Sequence, residues 1–358
     1  MSDKNSLSKA AGKKRRQSAA DPPVACRTVK HADFSREAGG IAAALATYDD
    51  FLIATHVYAD GDAIGAVLLC AAILRKLGKR SQIVLHDAAP DLRYRFLPGF
   101  SEIHSFEQTP DPGPIRALLA LDVPTMARIG DVAQLLPDGI PVLVVDHHAS
   151  NEAFGQENFV RPEASSTCEL LHEVVTELGL PFDEPMATCL YTGIAFDTGG
   201  FRFSNTSGEA LRIAAEMVDR GVRPDRIADA LFHRRSYEAT RHLGRVLSGI
   251  ELHLSEKVSS IYLPGDRSKD TDGFINYALF IDGVEVAFFI RDEEPGHFRV
   301  SLRSQNEVDV NLIAGRFGGG GHRKAAGCRM AGRVEEVKRL ILEEIARHLR
   351  ASCASENG

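Results

Sequence analysis

Four short apolar runs, each ending in acidic or histidine residues, occur between residues 51 and 148. They are FLIATH (51–56), SQIVLHD (81–87), ALLALD (117–122) and PVLVVDHH (141–148). The segment 63–79, which follows the first run, has the length and apolar content of a helix that ends near Gly78. Alternation of this kind predicts an α/β fold, in which a parallel sheet carries helices on both faces and binds its ligand at the carboxyl ends of the strands.

Several residues with metal-binding side chains fall at or just after these predicted strand ends. The set is His56, Asp60, Asp62, Asp122, Asp146, His147 and His148. Two adjacent histidines beside a carboxylate, at the end of a buried strand, are costly to hold unless a metal ion or a phosphate lies between them. A helix cap or a turn would explain any one of these residues, but not their coincidence at one edge of the sheet.

A further carboxylate, Asp197, ends an apolar helical pattern within 184–207 and precedes Thr-Gly-Gly. By itself this short sequence fits an ordinary turn. Beside the strand-end residues it predicts a carboxylate that faces the same cleft. Arg202, which follows closely, is a candidate for contact with a substrate phosphate.

Two imidazoles and four carboxylates make up the predicted metal-ligand set. They belong to His56, Asp60, Asp62, Asp122, His147 and Asp197. Mixed nitrogen and oxygen ligands suit Mn²⁺, with Co²⁺, Fe²⁺ or Mg²⁺ as alternatives, better than a thiolate zinc site or an all-oxygen calcium site. Six ligands exceed what one catalytic ion uses, so we expect two divalent ions about 3.5 to 4 Å apart. Such a pair activates water for the hydrolysis of a phosphate ester.

The composition argues against several other classes of protein. The chain has 358 residues, of which 44% are hydrophobic, so two domains are expected. Its net charge of -7 argues against a protein that coats nucleic acid through a broad basic face. The six cysteines form no CxxC pair and are expected to be reduced thiols. Because no apolar run reaches about 18 residues, we expect no membrane span.

Short alternating strands replace the earlier pattern after an Arg-rich segment at 236–250, which we predict to be a connecting helix. The sequence GRFGGGGHRKAAG (315–327) then follows. Its glycines allow backbone N–H groups to approach an anion closely or allow turns with positive φ, although a flexible loop is the commoner reason for such a run. The predicted organisation is a disordered basic tail (1–35), a first domain (36–235), the linker helix (236–250), a second domain (251–350) and a short tail (351–358).

The motifs taken together resemble those of the DHH phosphoesterase superfamily, which includes RecJ nucleases, family II pyrophosphatases, exopolyphosphatases and the nanoRNase/pAp-phosphatase group. THVYADGDAIGA, LALD, VVDHHASN and AFDTGGFRFSNTS are similar to family motifs I to IV in order and spacing. GGGGHRKAAG resembles the signature of the DHH-associated domain. The resemblance implies a DHH catalytic domain, a smaller α/β substrate-binding domain with a mixed sheet, and an active site in the cleft between them. Motif I departs from the family at Tyr58-Ala59, where Asn-Pro is usual, but no ligand is lost.

The resemblance also implies a role for each site residue. One metal ion would be held by His56, Asp60 and Asp122. The other would be held by Asp62, Asp122, His147 and Asp197, so that Asp122 bridges the two. His148 would contact the scissile phosphate, and Asp146 would orient the histidine pair from behind. The phosphates and nucleotide of the substrate would contact Arg303, Gly320, Gly321 and His322.

A chain built from these two domains alone is similar to the nanoRNase/pAp-phosphatase group. That similarity implies Mn²⁺-dependent hydrolysis of oligoribonucleotides a few residues long, of pAp to AMP, or of both. Alternatives are a cyclic-di-AMP or pApA phosphodiesterase, an exopolyphosphatase and, in another class, a non-catalytic nucleotide-binding regulatory module. We expect a cytoplasmic protein that binds short RNA or a small nucleotide, but neither a membrane nor long duplex DNA. The family resemblance suggests a homodimer.

Overall fold

The computed structural model of the protein describes residues 35–109, 112–265, 273–306 and 308–355, so the predicted basic tail (1–35) lies outside the described residues except for its last residue, which begins the first helix. The N-terminal unit contains a six-stranded sheet and six α-helices. In chain order its elements are α1 (Ser35–Thr47), β1 (Phe51–Ala54), α2 (Gly61–Lys76), β2 (Ser81–Leu85), β3 (Ile103–Ser105), β4 (Ala117–Leu121), β5 (Val142–Asp146), β6 (Glu157–Val160), α3 (Thr167–Glu177), α4 (Glu184–Asp197), α5 (Gly208–Asp219) and α6 (Pro224–Ala228). A π-helix, Asp229–His233, follows α6.

The first sheet is parallel throughout, with strand order β3-β2-β1-β4-β5-β6. From β1 the chain adds β2 and β3 toward one edge of the sheet, and from β4 it adds β5 and β6 toward the other edge. The two central strands therefore form a topological switch point, where the loops that leave them separate and open a crevice. The predicted parallel α/β architecture is confirmed, and the switch point is where a ligand is expected.

Both faces of this sheet are buried, which explains why its strands are apolar without alternation. Phe51 and Ile53 of β1 face a core shared with α1 to α5. Leu52 and Ala54 face a second core, covered by two short 3₁₀ segments within Met126–Leu135 that are separated by a kink at Gly130. The helical cover is thus unequal, with the α-helices on one face and shorter structure on the other.

The C-terminal unit is built around a second, mixed sheet. Its elements are α7 (Tyr237–Ser248), β7 (Ile250–His253), β8 (Val258–Tyr262), α8 (Phe274–Leu279), β9 (Val286–Glu294), β10 (His297–Ser304), α9 (Val310–Gly315), β11 (Gly320–His322), β12 (Ala325–Ala331) and α10 (Val334–Ser355). The strand order is β11-β12-β10-β9-β8-β7, with β8 and β9 parallel and the other neighbours antiparallel. The prediction of a second, mixed sheet is confirmed.

The two faces of the second sheet differ in what covers them. Val300 and Leu302 of β10 pack in a core with α9 and α10. On the opposite face, α7 and α8 pack over β8 and β9, where they cover Phe289. That face meets the N-terminal unit at Arg299, whose guanidinium carbon lies 5.9 Å from the centre of the Tyr58 ring. Among the described residues no helix is both long and apolar enough to cross a membrane.

Candidate functional site

The strand ends around the switch point bring the predicted ligands together. His56 follows β1, Asp122 follows β4, and His147 follows β5. Asp60 caps the N-terminus of α2 by accepting hydrogen bonds from the backbone N–H groups of Asp62 and Ala63. α4 ends at Asp197, which adds a further carboxylate. The predicted ligands thus come from strand ends and from helix ends at one edge of the sheet.

The Asp122 carboxylate lies at the centre of this group. Its Oδ2 is 3.4 Å from His56 Nε2, and its Oδ1 is 3.6 Å from His147 Nε2. The residue is 2% exposed, and the backbone has a φ of 57°, in the left-handed region that non-glycine residues seldom adopt. Such a conformation costs on the order of 1 kcal/mol and tends to be retained at functional sites. Asp122 is therefore positioned to serve two ligand groups at once.

The hydrogen bonds of the two flanking histidines leave Nε2 directed at the carboxylates. His56 Nδ1 is 3.0 Å from the Val57 carbonyl, and His147 Nδ1 is 3.3 Å from the Ala164 carbonyl. Because a carbonyl only accepts, each Nδ1 must carry a proton, which leaves Nε2 as the nitrogen that would give up its proton to bind a metal. His147 Nε2 is 3.0 Å from the Asp197 carboxylate. Both rings are thus held in the tautomer that suits Nε2 metal ligation.

Asp62 is fully buried and is oriented by the N-terminus of α3. The Thr167 N–H donates to Asp62 Oδ2 at 2.6 Å, and the Cys168 N–H donates to Oδ1 at 3.0 Å. These are helix N-terminal donors, which favour an anion. A Cβ at Gly193 of α4 would lie 2.5 Å from Asp62 Oδ1, so the glycine leaves room for the carboxylate.

The second histidine of the tandem makes a different contact. His148 Nδ1 donates to Asp146 Oδ1 at 2.7 Å and lies farther, 3.5 Å, from Asp122 Oδ1. Asp146 is fully buried and also accepts from Asn151 Nδ2 at 2.6 Å. The ring planes of His147 and His148 are inclined at 66°, so the neighbouring rings point in different directions. The tandem histidines therefore have different partners.

The cluster holds more negative charge than its imidazoles neutralise. Burial raises the pKa of Asp60 to about 6 and raises the pKa of Asp62 well above its usual value, with the neighbouring carboxylates adding to both shifts. Burial alone would lower the pKa of His56, but the hydrogen bond with Asp122 and the nearby carboxylates raise it to about 10. The pKa of Asp122 is lowered, because its three histidine neighbours outweigh the effect of its burial. Buried carboxylates that favour protonation are the sites at which a cation would replace the proton.

The donor chemistry of this cluster fits a metal centre. Three groups each have ligand atoms within 4.8 Å of one another: His56, Asp60 and Asp122; Asp62, His147 and Asp197; and Asp122, His147 and His148. Asp122 and His147 each belong to two groups, so the groups are joined. Nitrogen and oxygen donors in this proportion suit a divalent transition metal or Mg²⁺. The described residues therefore contain a possible metal-binding group of histidines and carboxylates.

The predicted substrate-binding residues lie together at one end of the second sheet. Arg303 of β10 pairs with Ala325 of β12, which in turn pairs with the backbone of His322 in β11. Packing also requires a glycine at position 321, because a Cβ there would lie 2.4 Å from the Ala325 carbonyl. The Gly321 N–H already donates to Asn311 Oδ1 at 2.9 Å. Arg303 itself donates to the Leu302 carbonyl at 3.1 Å.

Arg202 is placed apart from that row, at the junction of the two units. Its Nε donates to the Gly199 carbonyl at 2.7 Å, and its guanidinium carbon lies 5.9 Å from the centre of the Phe280 ring. Arg202 thus joins the turn after Asp197 to the C-terminal unit.

Two residues that support the site, Thr167 and Asp87, were not predicted from the sequence. Thr167, besides its backbone contact with Asp62, donates its hydroxyl to Asp122 Oδ1 at 3.0 Å. A sequence signal for this helix start exists in Ser166 and Glu169, which match the spacing of a capping box. Asp87, just beyond β2, accepts from the Tyr58 and Ala59 N–H groups at 3.0 Å each. Neither contact could be read from the separate motifs, because each joins segments distant in the chain.

The Asp87 contacts lead to a prediction about metal affinity. Asp87→Asn keeps the side-chain size but can accept through only one oxygen, so the loop that carries His56 and Asp60 becomes less fixed. We expect a loss of divalent metal affinity of about tenfold or more, as is usual for residues that orient metal ligands. Isothermal titration calorimetry with Mn²⁺ measures the affinity of each protein.

Asp138→Asn is the matched control, since it removes an exposed carboxylate from a turn away from this loop. Equal metal affinities for wild type and Asp87→Asn would contradict the positioning role of Asp87.

A parallel sheet with histidines and carboxylates at its switch point, followed by a second mixed sheet, suits the hydrolysis of a phosphate ester. Residues 50–194 match the family model of the DHH family, N-terminal domain, and residues 256–351 match that of the DHHA1 domain. The chain therefore belongs to the DHH family of phosphoesterases.

Similar proteins cover most of the chain. A bifunctional oligoribonuclease and PAP phosphatase NrnA from Thermus thermophilus is 36% identical over 307 residues, which are 82% of this chain and 90% of the relative. Its counterpart from Bacillus subtilis is 25% identical over 84% of this chain and 95% of its own length. The crystal structure of an exopolyphosphatase-related protein from Bacteroides fragilis has a TM-score of 0.79 and 26% identity, over 87% of this chain and 96% of that one.

Proposed function

We propose that the protein hydrolyses oligoribonucleotides a few residues long and converts pAp to AMP. The observation that carries this proposal is the position of the Asp122 carboxylate between His56 and His147, because a shared carboxylate suits a pair of divalent ions acting on a phosphate ester. The substrate class is supported by the relatives from T. thermophilus and B. subtilis, each described as an oligoribonuclease and PAP phosphatase.

The proposed ligands divide into two sets that share Asp122. One ion would be held by His56, Asp60 and Asp122. The other would be held by Asp62, Asp122, His147 and Asp197, with Mn²⁺ as the expected metal. When bound, such ions favour the deprotonation of water at neutral pH and neutralise charge on the phosphate. Thr167 keeps Asp62 and Asp122 in fixed positions, so little reorganisation is needed when the ligands are used.

His148 and Asp146 would orient the scissile phosphate. Because Asp146 accepts the Nδ1 proton of His148, the second ring nitrogen is the one that would contact the phosphate. Asn151 holds Asp146 from the other side, which fixes the direction of the imidazole. The pair would therefore supply a hydrogen-bonding group in one defined orientation rather than a third metal ligand.

The C-terminal unit would bind the rest of the substrate. Arg303 of β10 and the backbone of Gly320 and His322 in β11 lie on either side of β12, where they would contact phosphate oxygens, while Arg202 would act at the junction of the units. The proposed domain limits are 36–235 and 251–350, with the linker at 236–250. A cleft between two small domains suits short substrates better than long strands. We also propose a cytoplasmic location.

Product analysis with the purified full-length chain tests this function. The substrates are pAp, pApA, RNA and DNA oligomers of two to five residues, cyclic di-AMP and polyphosphate. We expect AMP and phosphate from pAp and mononucleotides from short RNA, with activity abolished by a chelator and restored by Mn²⁺.

Two other outcomes would replace the proposal. Turnover of polyphosphate without turnover of pAp or short RNA would indicate an exopolyphosphatase. Nucleotide binding without turnover under any divalent metal would indicate a regulatory module.

A further inference from the structure

Tyr58 combines an unfavourable backbone conformation with an exposed aromatic ring. It lies in the loop between His56 and Asp60, with a φ of 62° and 67% of its surface exposed. A left-handed backbone disfavours a bulky residue, and an exposed ring forgoes burial. A largely exposed ring held here, in the loop between His56 and Asp60, is available for contact with a ligand.

Three arginines form a row across the second sheet on the face that meets Tyr58. In the antiparallel register, Arg299 of β10 is directly opposite Arg291 of β9 and Arg329 of β12. Directly paired residues point to the same face, and like charges in such pairs are destabilising. Among the described residues no carboxylate lies within 4.0 Å of the Arg299 guanidinium, whereas Arg329 has Glu293 at 2.8 Å. Arg299 thus brings to this face a positive charge with no described carboxylate within that distance, and an anion would neutralise it.

The row and the ring are in contact across the junction of the two units. The Arg299 guanidinium carbon lies 5.9 Å from the centre of the Tyr58 ring, within the range of a cation–π interaction. The pKa of Arg329 is raised, first by its hydrogen bond to Glu293 and to a smaller extent by the Tyr58 hydroxyl, so Arg329 also lies beside the ring. Tyr58 therefore joins the metal-binding loop to the arginine row.

The arginine row is distinct from the position of Arg303. Arg299 and Arg303 are four residues apart on β10 and face the same side, a separation of about 13 Å in an extended strand. They can contact different phosphates of a chain of nucleotides.

We propose that Tyr58 and the row of Arg291, Arg299 and Arg329 form a second nucleotide subsite for an oligoribonucleotide substrate. The exposed face of Tyr58 stacks against a base of a nucleotide beyond the one being released, and the arginines bind the phosphate attached to it. Stacking of one base on an aromatic ring adds affinity without requiring a particular base. The subsite rests on the proposed function, and it selects substrates longer than one nucleotide.

The test compares pAp, which has one nucleotide, with the RNA trinucleotide pApApA. In Arg299→Gln we expect KM for the trinucleotide to rise tenfold or more, while kcat/KM for pAp changes less than threefold. Tyr58→Asn should behave in the same way, and it should fold normally because Asn tolerates a left-handed backbone. The dependence of trinucleotide affinity on salt should also weaken in Arg299→Gln, by about 0.7 in the logarithmic slope for one lost phosphate contact.

Arg339→Gln is the matched control. It removes the same charge from α10, which packs against the opposite face of the second sheet, and both substrates should be cleaved as by wild type. Equal losses on pAp and the trinucleotide in the Arg299 and Tyr58 variants would overturn the subsite, because the residues would then act on the metal-binding loop or on contact between the units. No loss on either substrate would also overturn it.

The failure of the proposed function can be recognised separately. If the wild type cleaved neither substrate, the proposed function would fail, and a measurement of trinucleotide binding would then test the subsite. Tenfold weaker binding to Arg299→Gln than to wild type would then support the subsite. The subsite would be contradicted if the wild-type protein cleaved pAp but neither bound nor cleaved the trinucleotide.

Discussion

Asp122→Asn is expected to lower kcat on pAp and on short RNA by at least about 10³-fold, whereas Arg303→Ala should cause a smaller loss. The amide keeps the size of Asp122 but removes the charge that lies between His56 and His147. A carboxylate shared by two metal ions contributes several kcal/mol to the stabilisation of the transition state, and each 1.4 kcal/mol corresponds to about tenfold in rate. Arg303 would contribute to substrate binding through one contact.

Metal content separates the two variants further. We expect Asp122→Asn to bind less Mn²⁺ than wild type, as measured by elemental analysis of the dialysed protein, and Arg303→Ala to bind the same amount. Circular dichroism should show an intact fold in both. Comparable losses of kcat with unchanged metal content in both variants would count against a shared carboxylate at Asp122.

Replacement of His148 by Asn is expected to lower kcat by about 10² to 10⁴-fold, the usual range for loss of a positioned proton donor or acceptor. Metal binding should remain intact, because the Nδ1 of His148 is committed to Asp146 and the ligand nitrogens that we propose belong to His56 and His147. Steady-state kinetics and Mn²⁺ titration of the same preparation measure both effects.

Asp146→Asn provides the companion experiment. An amide in place of the carboxylate can no longer accept from His148 and Asn151 in the same way, so the imidazole loses its fixed tautomer. The double variant should lose little more activity than His148→Asn alone, because the two residues act as a unit. A loss of one bound metal ion in His148→Asn would instead indicate that His148 is a ligand.

The sequence predicted the first sheet because its strands are buried on both faces and are therefore apolar throughout. The run ending in His56 and the run ending in Asp122 each gave one strand of the observed sheet. Two edge strands, Ile103–Ser105 and Glu157–Val160, were not predicted, since each is short and only partly apolar. Membership of the DHH family was also predicted, because its motifs are defined by residue order and spacing.

The spatial support of the site could not be predicted in the same way. Thr167 and Asp87 contact residues 105 and 29 positions away, and no local pattern records such pairs. Gly193 is required because α4 crosses close to the Asp62 carboxylate, which depends on how the helices pack.

The sequence by itself determined which side chains can ligate a metal, since that depends on residue type and on the strands that end beside them. The tertiary structure decided which partner each of the tandem histidines has: His147 lies beside Asp197, and His148 is hydrogen-bonded to Asp146. It also decided that Arg299, from the far half of the chain, meets Tyr58. The physical reason is that ligand chemistry belongs to each residue, whereas hydrogen-bond direction and contact across a cleft depend on distances of a few ångströms that packing alone sets.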